Sequence, residues 1–130
     1  MGMFLTPPPE PAAIVIYDDG GGNVDDYKAA VMRYASADRP VKVVGSCRSA
    51  CTLVLAYTNV CVYPRAVFMW HMAYSAIYRD VLYPDVTEEM INWMPWSIQT
   101  RLRNSITKEY NPRATMTGAE LIRHGVKQCS

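Results

Sequence analysis

Three short stretches of this chain carry residue types that, brought together, would do nucleophilic chemistry. Ser49 stands between a β-prone run and an apolar, helix-length stretch, so a hydroxyl is presented at a sharp bend, with the backbone N–H of Ala50 beside it as an oxyanion donor. A run of glycines, Gly20-Gly21-Gly22, follows an earlier β-prone run; glycine lets backbone approach a substrate carbonyl closely, and an N–H of Gly21 or Gly22 would be the second donor. His71 ends another predicted strand, at the edge of an α/β sheet where sites form, and there it would accept the Ser49 proton.

Each feature also has a plainer explanation. A serine in such a turn is more often a helix N-cap, and a glycine run is more often a simple βα turn. The run also suggests phosphate binding, but it fits neither the dinucleotide nor the Walker pattern. His124, the other histidine, falls at the end of a predicted helix, where the helix dipole accounts for it.

The elements that must position these residues alternate. Residues 1–13, with Pro7, Pro8, Pro9 and Pro11, read as an extended lead-in, because proline fixes φ and removes donors. Ala13 to Tyr17 reads as a buried parallel strand. From Val24 the positions Val24, Tyr27, Val31, Tyr34 and Ala35 fall at helical spacing, ending near Asp38-Arg39-Pro40. Val41 to Val44 is a second strand, Ala50 to Thr58 a second helix, and Val60 to Tyr63 and Ala66 to Trp70 are two further strands around Pro64. Ser75 to Pro84 reads as irregular, and Thr87 to Tyr110 as helical, broken at Pro95. Thr117 to Glu120 matches a capping box, with Gly125 where a C-cap glycine belongs. The pattern predicts one layered α/β domain over 14–130.

The composition excludes some functions. With 13 basic against 12 acidic side chains, a basic nucleic-acid surface is not expected. No apolar run approaches the length of a membrane-spanning helix, and no signal-peptide pattern opens the chain, so a soluble protein is expected. Cys47, Cys51, Cys61 and Cys129 fit neither a dense disulfide scaffold nor a paired zinc site. Cys47 and Cys51, flanking Ser49, read as small buried residues rather than a metal or redox pair. No metal or cofactor is expected.

Together, Ile16 to Val24, Gly45 to Cys51 and Pro64 to His71 resemble the proteolytic subunit of Clp protease, within the wider Clp-protease/crotonase class. In that family a Ser-Pro-Gly-Gly turn supplies oxyanion N–H groups, a Gly-x-x-x-Ser turn carries the nucleophile, and a strand-end histidine follows. Gly45, Cys47, Ser49, Ala50 and Cys51 reproduce the Gly-x-Cys-x-Ser-Ala-Cys pattern of bacterial, often exported relatives. The resemblance covers Ile14 to Ala73 and, more loosely, Met116 to Val126. It implies a serine peptidase or related acyl hydrolase acting on a peptide or acyl substrate, assembled as a homo-oligomer; if the chain is exported like those relatives, a disulfide among the four cysteines follows, with its pairing undetermined.

The chain also departs from the family. Gly125-Val126-Lys127-Gln128 has no carboxylate where the family's aspartate falls, which leaves the third triad member open among Glu120, Asp80 and Asp85. Asp18-Asp19 replaces Ser-Pro, and their charge would oppose an oxyanion unless turned away. Only 1–13 precede the strand that leads into the glycine turn, where the family has a further strand and helix, so the domain reads as minimal or N-terminally shortened. These departures keep two alternatives open: an inactive binding or assembly module of the same fold, and coenzyme-A chemistry of the crotonase type.

Overall fold

The computed structural model describes residues 6, 9–78, 81–106 and 113–130. Ten elements follow in order: β1 (Ile14–Asp19), α1 (Val24–Ser36), β2 (Val41–Arg48), a 3₁₀ helix, α2 (Ser49–Ala56), β3 (Val60–Val62), β4 (Val67–His71), α3 (Pro84–Asn92), α4 (Trp96–Ile106), β5 (Arg113–Thr117) and α5 (Gly118–Arg123). The result is a layered α/β fold.

The sheet is built around β2. β1 runs parallel along one side; on the other, β3 pairs with the first half of β2 and β4 with the second half, both parallel. β5 closes the far edge, antiparallel to β4. Because β1, β2 and β4 run the same way, Asp19, Arg48 and His71 end on one edge, where α/β sheets place their sites.

Gly45 lets this edge form. A Cβ there would lie 2.1 Å from the Tyr17 carbonyl oxygen, so only glycine admits the neighbouring backbone. The β1–β2 register shifts between Ile16 and Asp18, and Asp19 then stands opposite Cys47. The irregularity in β1 thus sets where the glycine turn leaves the sheet.

The core is apolar and continuous. Phe68, Trp70, Leu53, Ile98, Leu102 and Met116 are fully buried or nearly so. Residues 50–55 of α2 are buried on every side, as expected of a helix with no polar face.

Several expectations hold locally. α1 starts at Val24, where the helical spacing begins, and Asn23 caps it, its side chain accepting from the Asp26 N–H at 3.1 Å. The break at Pro95 separates α3 from α4. Thr117 and Glu120 form the full capping box, and Gly125 follows α5 at φ +100°.

Others are corrected. β2 does not stop at Val44 but continues to Arg48, because Gly45 and Ser46 are strand rather than turn. β5 was not anticipated, although Ala114 and Met116 alternate inward across it. Cys47 and Cys51 are buried but not free: they are bonded to each other, and Cys61 is bonded to Cys129. Among the described residues no helix is long and apolar enough to cross a membrane.

Candidate active site

Two turns leave the common sheet edge and pack on each other. The first, residues 20–23, joins β1 to α1; the second, Arg48-Ser49-Ala50, joins β2 to α2. A Cβ added at Gly21 would fall 2.7 Å from the Arg48 carbonyl oxygen, 2.8 Å from Ser49 Cβ and 2.9 Å from the Ala50 nitrogen. Gly21 also has φ +87°, so both space and conformation require glycine.

The serine turn is unusual in its backbone. Ser49 has φ +56°, left-handed territory that an L-residue occupies at a cost of roughly 1–2 kcal/mol. Its side chain does not cap α2, whose N-cap residue is Arg48 with no side-chain capping bond. The N-cap explanation of Ser49 therefore finds no support. Thr52 Oγ1 instead donates to the Ser49 carbonyl at 2.7 Å, tying the strained residue to the turn that follows.

Asp18 and Asp19, which precede the glycine turn, are both engaged. Asp19 Oδ1 accepts from the Gly21 N–H at 2.8 Å and from the Tyr27 hydroxyl at 2.6 Å. Burial first, and then this bond to the carboxylate, pushes the Tyr27 phenol up to about 12. Asp18 pairs with Arg48 at 3.2 Å across the two turns. Both aspartates line a separate cavity between β1 and α1, not the one that holds Ser49.

The Gly21 N–H is thus already engaged by Asp19. Ala50, in the first turn of α2, has its N–H among the donors a helix start leaves without an intrahelical partner.

Ser49, His71 and Gly20 to Gly22 line one cavity of about 670 Å³. Its walls include Val24, Ala73, Val86 and Met90, with Tyr74 and Tyr83. Tyr74 lies 5.4 Å from the His71 ring, centroid to centroid. Asp25 and Glu89 also border the cavity, Glu89 in an ion pair with Lys28. No hydrogen bond joins Ser49 to His71 here; contacts of this kind often tighten only once substrate is bound.

His71 Nδ1 lies 2.8 Å from the Met72 carbonyl oxygen. A carbonyl can only accept, so Nδ1 carries a proton. Of the three carboxylates weighed as the third member, Glu120 is taken by the capping box and by Arg101, whose hydrogen bond is the main reason its carboxyl sits below the usual range. Asp85 lies in the first turn of α3 and does not line the cavity. Asp80 lies outside the described residues.

Among the described residues no cluster of three or more histidine, cysteine or acidic side chains could hold a metal. The features sequence reading missed are those that fix geometry: the Asp19–Tyr27 bond, the Met72 carbonyl and the disulfide beside Ser49. Tyr27 was visible only as one more apolar position on α1.

No family model matches the chain, and no curated protein matches its sequence. Solved structures that share its fold include the ClpP protease catalytic domain from Plasmodium falciparum, 14% identical, with a TM-score of 0.54 over 90% of this chain and 67% of that one. Another, described only as an enzyme, is 10% identical, with a TM-score of 0.55 over 88% of this chain and 76% of the other. At such identities the likeness is one of fold: the chain has a ClpP-like α/β fold.

Proposed function

We propose that this chain is a serine hydrolase acting on a peptide or related acyl substrate, with Ser49 as nucleophile and His71 as general base. The observation that carries the reading is the left-handed Ser49, held at the end of β2 with no capping role, in one cavity with His71, whose Nδ1 is turned to the Met72 carbonyl. A strained serine at a strand-to-helix turn raises its hydroxyl clear of the backbone, the geometry that acyl transfer needs.

In this reading His71 Nε2 takes the proton from Ser49 Oγ as the oxygen attacks the substrate carbonyl carbon. The N–H groups of Gly22 and Ala50 hold the oxyanion that forms. The tetrahedral species collapses, the leaving group departs with the proton from His71, and an ester on Ser49 remains. Water, deprotonated by His71, then attacks that ester and frees the serine.

The Met72 carbonyl sets the tautomer of His71 but, being neutral, offsets the imidazolium charge less than a carboxylate would. That same feature favours the second reading, a non-catalytic binding or assembly module. Oligomerisation belongs to the proposal too, since the family resemblance implies a homo-oligomer.

The test is incubation of the folded protein with a fluorophosphonate probe, read by intact and peptide mass spectrometry, beside Ser49→Ala and His71→Ala. One adduct on Ser49, absent in Ser49→Ala and strongly slowed in His71→Ala, is the expected result. Folded wild-type protein that takes no label overturns the hydrolase and leaves the module.

A further inference from the structure

Neither disulfide enters the chemistry above, yet one of them brackets Ser49. Cys47 lies near the end of β2, in register with Asp19 of β1 and Phe68 of β4. Cys51 lies in the first turns of α2, and both are fully buried. An extended chain separates residues four apart by roughly 13 Å. Here the two Cα atoms are 5.4 Å apart, so the whole reversal from strand to helix happens between the bonded residues. The bond therefore closes a small ring over Arg48, Ser49 and Ala50, the part of the chain that carries the left-handed residue, the nucleophile and one oxyanion donor.

The other disulfide differs in kind. Cys61 of β3 and Cys129 near the chain end are 68 residues apart, and they line a different cavity from Ser49. That bond holds the end of the chain to the sheet and does not touch the turn.

We infer that Cys47–Cys51 is a positioning element for Ser49. By fixing both ends of the turn it denies Ser49 its easiest relaxation, a return to negative φ that would make the first residue of α2 regular. That relaxation would rotate Oγ and the Ala50 N–H together, out of line with His71 and Gly22. Thr52 Oγ1 and the Gly21 contact hold the turn from two other directions, but neither fixes the distance between its ends. The kinetic half of this inference rests on the hydrolase reading; the conformational half does not.

The experiment uses the full chain as Cys47→Ala/Cys51→Ala, with Cys61→Ala/Cys129→Ala as the control that also loses one disulfide. Two quantities are read at a temperature where circular dichroism shows the proteins folded. One is φ at Ser49, from the crystal structure or from the three-bond amide-to-Hα coupling of isotopically labelled protein. The other is the fluorophosphonate labelling rate against probe concentration, which separates probe binding from the bond-forming step. A misplacement of about 1 Å at a reacting atom costs on the order of 100-fold, so the limiting rate of Cys47→Ala/Cys51→Ala should fall by about that factor with little change in probe binding. Its Ser49 φ should turn negative, while the control keeps both the positive φ and the limiting rate.

A folded Cys47→Ala/Cys51→Ala variant that keeps the positive φ overturns the inference, whatever its labelling. If wild-type protein takes no label at all, the hydrolase fails, and φ in the variant still decides whether the bond positions the turn. Should the double alanine variant not fold, Cys47→Val/Cys51→Ala, which refills part of the buried volume, is read in the same way.

Discussion

The two turns that leave this sheet edge solve one backbone problem in opposite ways. Each follows a parallel strand and each needs a residue at positive φ. The β1–α1 turn meets that need with Gly21 at +87°, where no side chain resists, and fixes it with one hydrogen bond from the glycine N–H to Asp19. The β2–α2 turn places a serine at +56° and surrounds it with a disulfide, the Thr52 hydroxyl and the packed backbone of the first turn. Glycine would fit the second turn at lower cost. A side chain kept there against the backbone preference, and with no capping bond to explain it, points to a use for its hydroxyl.

The largest expected effect comes from breaking the contact between the turns. Gly21→Ala adds, at a left-handed residue, a Cβ that would fall within 3 Å of Arg48, Ser49 and Ala50 atoms. Strain and overpacking together should cost about 2–4 kcal/mol in urea unfolding, and labelling of Ser49 should slow. A variant as stable as wild type would mean the turns do not pack as described.

Tyr27→Phe removes the hydrogen bond that holds Asp19 under the glycine turn. Loss of a bond to a charged acceptor should cost about 1.5–2 kcal/mol at neutral pH. The folded phenol titrates near 12 and the unfolded one near 10.0, so the bond's contribution is complete below pH 10 and disappears as pH rises to 12. The stability difference between wild type and Tyr27→Phe should therefore shrink across that window, which denaturant titrations at several pH values would show. A constant difference would remove Tyr27 from the account.

Ser49→Gly should have the smallest effect on stability and the opposite sign. Relief of the left-handed strain, partly offset by the freedom glycine gains in the unfolded chain, should raise stability by about 0.5–1 kcal/mol while abolishing labelling. A loss of stability would show that the Ser49 side chain serves the fold instead.

Local signals in the sequence carried much of the fold. β1, α1, the capping box and the break at Pro95 each depend on residues close together in the chain, and each was legible. β2 read as too short because Gly45-Ser46 looks like a turn; the reason for Gly45, the Tyr17 carbonyl against it, lies on another strand. β5 went unseen because its five residues, Arg113–Thr117, make sense only beside β4.

The candidate site divides in the same way. Ser49, His71 and the glycines were legible as residue types at turn and strand ends. That Gly21 is occupied by Asp19, that His71 faces a carbonyl, and that Cys47 bonds Cys51 all depend on geometry between elements. Spacing alone does not reveal a positive φ at a serine.

The measurement that bears most directly on the central claim is a crystal structure of the protein after reaction with a fluorophosphonate. The account predicts phosphorus bonded to Ser49 Oγ, with its oxygen roughly 2.7–3.1 Å from the N–H groups of both Gly22 and Ala50. An adduct on another residue, or a phosphonyl oxygen turned to solvent away from both donors, would contradict it.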